Sequence, residues 1–137
     1  MRTLLLLLLL PITAAAATPQ QAHDPNTTDA QTADKLARAL KGFSKAGPET
    51  SCIPALRGEY STTTIGKTIL YRYSRNLIYA NQTNGCERAE RGDALIVLNP
   101  LGSQLCSGQI MQTVDVYNRF VTGGCALGQF TPYRRDK

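Results

Sequence analysis

The spacing of apolar and polar residues divides this chain into four stretches with different textures. Leu4 to Leu10 is an unbroken apolar run, and residues 18–31 are polar with almost no large apolar side chain. Next, Ala33, Leu36, Leu40 and Phe43 recur at steps of three and four, the stripe of one amphipathic helix. The pattern predicts a helix over residues 32–46, capped by Thr32 and ended by Gly47-Pro48, with Lys35, Arg38, Lys41 and Lys45 on its polar side. So short a stripe predicts a helix that lies on the domain or frays in solution, rather than a membrane-surface or partner-docking element.

After Cys52 the period shortens to two. Residues 53–64, 68–74, 76–82, 94–99, 109–117 and 119–133 are rich in β-branched and aromatic side chains and are separated by turn residues. Alternation within Ile69–Ser74 sets Ile69, Tyr71 and Tyr73 on one face and Arg72 on the other. Arg75-Asn76 forms a tight turn, Tyr117-Asn118-Arg119 turns a second hairpin, and Gly123-Gly124 marks a bulge or bend. Six strands with no helix between them predict a mainly β fold: a small antiparallel barrel or sandwich of five to six strands over residues 50–133, followed by a solvated basic tail at 134–137.

The first residues change how the rest is read. One positive charge at Arg2, the short apolar run and the small residues Thr13–Ala17 have the layout of a secretory signal peptide over residues 1–17, with cleavage after Ala17. Pro11 interrupts the run well short of the ~20 apolar residues a spanning helix needs. Loss of 17 of the 137 residues leaves 120, one domain, preceded by a disordered leader at 18–31. The formal net charge of +5 falls to +4 without Arg2, which favours weak contact with anionic surfaces and falls short of a nucleic-acid footprint.

In an exported chain, Cys52, Cys86, Cys106 and Cys125 read as two disulfides, and none of their spacings matches the C-x₂₋₄-C of structural zinc. Of three connectivities the nested one, Cys52–Cys125 with Cys86–Cys106, is favoured because it ties the first strand to the last and clips the central loops. Each loop closure is worth ~3–5 kcal/mol.

Most catalytic patterns are missing from the sequence. His23, the only histidine, falls in the leader, so neither a histidine-based triad nor a histidine metal site is expected, and no phosphate loop, HExxH or EF-hand pattern occurs. No cofactor is expected. Glu87, Glu90 and Asp93 cluster beside Arg88 and Arg91, which would hold them ionised in a solvated loop. Ser103, Ser107 and Thr122 have no visible base partner. Asn26 and Asn81 begin glycosylation triplets, relevant only in a eukaryotic host. The one candidate ligand surface mixes aromatic and basic residues, Tyr71, Arg72, Tyr73, Arg75 and Tyr79, although alternation separates Arg72 from the tyrosines.

Cys52-Ile53, Gly85-Cys86, Gln104-Leu105-Cys106-Ser107-Gly108 and Cys125-Ala126-Leu127-Gly128-Gln129-Phe130 follow one another in an order that resembles a group of small exported bacterial proteins, a domain family of unknown function. The resemblance spans Cys52 to Phe130, and it implies a bacterial cell envelope and an all-β disulfide fold with no site residue carried over. The leading expectation is a monomeric, non-enzymatic, periplasmic or secreted binding module for an anionic envelope glycan, a membrane surface or a partner protein. The alternatives are an enzyme inhibitor, an enzyme working without histidine or metal, and a structural envelope protein.

Overall fold

The computed structural model describes residues 25–55, 60–98, 100 and 102–137. Residues 1–17, expected to form a signal peptide, and residues 18–24 lie outside the described residues. The helix predicted at 32–46 instead spans Pro25–Ala39 (α1), so it takes in the second half of the predicted leader. Proline opens it, at a position where a missing N–H costs nothing. It ends earlier than Gly47 because Gly42, at φ 75°, turns the chain left-handed, and Phe43–Lys45 become a strand, β1. The apolar stripe still serves its purpose: Leu36, Ala39, Leu40 and Phe43 pack on the sheet below.

Among the described residues nine further strands follow: β2 (Cys52–Pro54), β3 (Ser61–Ile65), β4 (Thr68–Arg72), β5 (Leu77–Gln82), β6 (Ala94–Val97), β7 (Gln104–Cys106), β8 (Ile110–Asp115), β9 (Phe120–Ala126) and β10 (Phe130–Arg135). The count exceeds the predicted five to six because two long segments are interrupted and two short strands, β1 and β7, form outside the predicted segments. Residues 53–64 supply β2 and β3 to different sheets, and residues 119–133 break between β9 and β10. All pairings are antiparallel, in a five-stranded sheet ordered β1-β10-β5-β4-β3, a two-stranded ribbon β2-β7 and a three-stranded sheet β6-β8-β9. The sheets do not close into a barrel. The expected basic tail is partly strand: Arg134 and Arg135 extend β10 beside Ser44 and Phe43, and the Arg135 and Arg72 guanidinium groups lie 4.9 and 5.4 Å from the Phe43 ring centre.

The five-stranded sheet is covered on both faces. Ile69, Tyr71 and Phe130 join Ile53, Leu105, Met111, Leu127, Cys86 and Cys125 in the main core, facing the ribbon and the three-stranded sheet. Ile65, Leu70 and Ile78 point the other way, under α1. The predicted hairpin at Tyr117–Arg119 is present; the Asp115 carboxylate accepts from the Tyr117 and Asn118 amides at 2.9 Å each, and Arg119 sits at φ 58°. The predicted bulge is present too, as a register shift between Thr113↔Gly123 and Val114↔Val121.

Two disulfides form, but the favoured nested pairing is wrong. Cys52 bonds Cys106 and Cys86 bonds Cys125. That pairing assumed that the first and last strands of the β-domain are neighbours. Instead β2 pairs in register with β7, which sets Cys52 directly opposite Cys106, while β10 pairs with β1 and β5. The loops closed, over separations of 54 and 39 residues, are each worth about 4 kcal/mol in the chain-entropy account.

Asn81 is fully buried, which closes it to glycosylation in the folded domain. Its Nδ2 donates to the Gly128 carbonyl at 2.7 Å and its Oδ1 accepts from the Gly128 amide at 3.0 Å. A Cβ on Gly128 would lie 2.2 Å from the Gln82 carbonyl oxygen. Asn81→Ala strands these two backbone groups and should cost about 2–6 kcal/mol in urea unfolding, at about 1–3 kcal/mol per unsatisfied group; Gly128→Ala should also destabilise. Peptide mapping without reduction should recover Cys52 linked to Cys106 and Cys86 linked to Cys125, and no Cys52–Cys125 peptide.

Candidate functional site

The register of β3 against β4 puts Thr62 opposite Tyr71 and Thr64 opposite Ile69, so the two threonines share the inward face of the five-stranded sheet. Across from them, Leu95 and Val97 of β6 and Met111 of β8 turn toward the same interior. Between these layers lies a cavity of about 360 Å³, lined on its polar side by Tyr60, Thr62, Thr64, Tyr71 and Asp93 and on its apolar side by Leu95, Val97, Leu105 and Met111.

Four aromatic contacts run beside it. Tyr60 packs on Tyr71 and Tyr73 with ring centres 5.6 and 5.3 Å apart, Tyr71 on Phe130 at 5.7 Å, and Tyr73 on Tyr79 at 5.4 Å. The Tyr73 hydroxyl donates to the Pro54 carbonyl and so ties the ribbon to the sheet. Tyr71 is 1 % exposed, and its hydroxyl has no hydrogen-bond partner among the described residues. Burial pushes its phenol far above the ordinary value of 10.0, and the neighbouring Tyr60 and Tyr73 push it further.

The predicted aromatic and basic ligand surface is therefore not assembled. Tyr71, Tyr73 and Tyr79 come together, but as core and half-buried packing. Arg72 points to the opposite face, over Phe43, and Arg75 sits in an exposed turn where its carbonyl accepts from Arg135 Nε. Strict alternation along β4 is the cause.

The acidic cluster is also dispersed, and not toward the neighbouring arginines. Glu87 and Glu90 lie on a short 3-10 helix, Glu87–Arg91, and project outward to Lys67 at 3.8 Å and Lys35 at 2.6 Å. The Lys35 hydrogen bond, with a second from the Gly66 amide, holds the Glu90 carboxyl below its usual range. Asp93 turns inward, where its carboxylate accepts from the Thr122 hydroxyl, itself 3.0 Å from Thr113 Oγ1. Thr122, expected to stand alone, thus has a carboxylate partner delivered by the bulge in β9. No cationic side chain among the described residues pairs with Asp93. No group of His, Cys, Asp and Glu among them could hold a metal ion.

The second feature is on the outside of the same sheet. With Leu95, Val97, Met111 and Thr113 facing in, alternation turns Ile96, Leu98, Ile110, Val114, Val116 and Val121 out. Ile96, Ile110 and Val121 are 47, 43 and 54 % exposed, and Tyr117 at the hairpin tip is 92 % exposed. Every exposed large apolar side chain among the described residues belongs to this sheet or its immediate flanks. The sequence hid this face because outward and inward positions of β8 are almost equally apolar.

Two disulfides belong in a non-reducing environment outside the cytosol. Among the described residues no helix is long and apolar enough to cross a membrane. A raised phenol stabilises the fold fully below its unfolded value near pH 10, and that contribution is lost as pH rises and the unfolded chain ionises first. In an alkaline ultraviolet titration Tyr71 should ionise only as the domain unfolds, and Tyr71→Phe should move the alkaline unfolding midpoint upward. The chain matches no family model, no curated protein and no solved structure.

Proposed function

We propose that this domain is a non-enzymatic binding module of the periplasm or the bacterial exterior, exported by the segment 1–17, that docks on a partner protein through the outer face of its three-stranded sheet. The observation that carries this reading is the apolar face itself: Ile96, Leu98, Ile110, Val116 and Val121 are exposed around the half-buried Val114, on a domain small enough that such a patch is costly. The other outward positions of these strands are alanine, glycine and glutamine, and none is charged. Interface centres are depleted of charge in this way.

The same absence of charge favours a protein among the partners the sequence left open. An anionic glycan or an anionic membrane surface calls for cations beside the apolar residues. Here the hairpin end offers one Asp115 against one Arg119. Among the described residues the sheet is also open at both edges, since β6 and β9 have no further strand beside them apart from an isolated bridge between Ala126 and Asn84. A partner presenting an apolar strand could pair with an edge while covering the face. The four-cysteine resemblance and the two disulfides support the same compartment.

A photo-crosslinking amino acid at Ile96 or Val121, introduced in the exported protein in its own cells, should give one discrete protein adduct. The same group at Arg38 on α1 should not, and an added Val114→Glu should abolish the adduct without lowering the melting temperature by more than a few degrees. Equal adducts from both faces, lipid adducts alone, or an adduct of twice the chain mass would each overturn the reading.

A further inference from the structure

The inner face of the same sheet supports a second site, independent of the docking face. We propose that the cavity between β3–β4 and β6–β8 binds a small organic ammonium, a primary amine on a short apolar chain, with the Asp93 carboxylate as its counter-ion.

Charge argues first. Among the described residues, Asp93 is the only ionisable acid or base besides the tyrosines on the cavity wall, and none of the Lys and Arg among them lines it. One of its oxygens, Oδ2, accepts from Thr122, and no cation among the described residues offsets its charge. A half-buried carboxylate in this position attracts a cation and repels an anion. An ammonium brings three donors and no acceptor, and the wall answers with acceptors: the carboxylate and the hydroxyls of Thr62 and Thr64.

The buried Tyr71 hydroxyl is the second, independent observation. It has no hydrogen-bond partner among the described residues, in a residue that lines the cavity and is 1 % exposed. A buried polar group left unpaired is costly, so such groups usually mark a missing partner. A phenol oxygen can accept from an ammonium, and the Tyr60 and Tyr71 rings offer aromatic faces that favour a cation.

Shape and polarity supply the rest. Leu95, Val97, Leu105 and Met111 form an apolar wall opposite the polar one, which suits an alkyl chain rather than a sugar hydroxylated on every side. At about 360 Å³ the space accommodates a ligand of a few to about ten heavy atoms with room for water. The Thr122–Asp93 contact and the inward turn of Asp93 pre-set the carboxylate, so little ordering is left for the ligand to impose.

The test is an amide chemical-shift titration of the disulfide-bonded protein at neutral pH with n-butylammonium, n-butanol and glucose as separate probes. Butylammonium should give saturable shifts at Thr62, Thr64, Asp93, Ala94 and Leu95, and n-butanol at least tenfold weaker ones. Asp93→Asn, which can still accept from Thr122, should weaken butylammonium at least tenfold, and Tyr71→Phe should weaken it several-fold while leaving the melting temperature unchanged or higher. No saturable shift, as for a cavity that holds only water, would overturn the proposal, as would equal response to n-butanol, a preference for glucose, or undiminished binding in Asp93→Asn. The probe comparison is made on the unaltered protein and stands even where a variant fails to fold.

Discussion

Between β9 and β10 the chain leaves the three-stranded sheet and enters the five-stranded one, and over Leu127–Gln129 its backbone belongs to neither ladder. Leu127 is satisfied by Gln109 and Gly108, but Gly128 has only a side chain to meet it. Asn81 reaches across from β5 and supplies both a donor and an acceptor, so a single buried amide stands in for a missing strand partner. The approach is possible because residue 128 has no Cβ, which would collide with the Gln82 carbonyl. With this crossing fixed, Phe130 enters the main core, β10 aligns with β5, and Cys125 stays within reach of Cys86. The relative placement of the two larger sheets, and so the existence of a cavity between them, depends on it.

That crossing also explains how so short a chain maintains two cores. β4 is buried at Thr68, Ile69, Leu70 and Tyr71 in succession, because α1 covers one face of its sheet and the other sheets cover the opposite face. A strand covered on both sides reads as a continuous apolar run rather than an alternating one. The helix contributes burial more than charge. Its Lys35–Glu90 bridge is exposed and of small value, whereas Leu36, Leu40 and Phe43 cover Leu70 and Ile78.

Local chemistry made some features legible in the sequence, and pairing concealed the others. The hairpin at Asp115–Phe120 and the bulge at Gly123 follow from residues whose preferences act within a few positions, and both were readable. The apolar stripe at Leu36, Leu40 and Phe43 was readable as well, although its last member proved to be strand: Gly42 sits where a left-handed cap stops the helix. The disulfide pairing was not readable, because it depends on β2 leaving the main sheet to join β7, a three-residue strand with no sequence signature of its own. The aromatic and basic surface failed for a related reason. Tyr71 and Arg72 are adjacent in sequence and on opposite faces in space, and only the cover over each face decides which is core.

The three-stranded sheet has to serve two surfaces with one short sequence, and the bulge lets it do so. Without the extra residue, Val121 would share the inward side with Gly123, and Thr122 would face water. The register shift instead brings Thr122 in beside Thr113 and Asp93 while Val121 opposes Val114 on the outside. Gly123 accommodates the crowding, since a Cβ there would come within 3.1 Å of Thr113 Oγ1. One inserted position therefore anchors the carboxylate of the inner cavity and completes the apolar face outside. The same backbone irregularity thus positions one residue of each surface, Val121 outside and Thr122 against Asp93 within, and neither placement is available to an unbroken ladder.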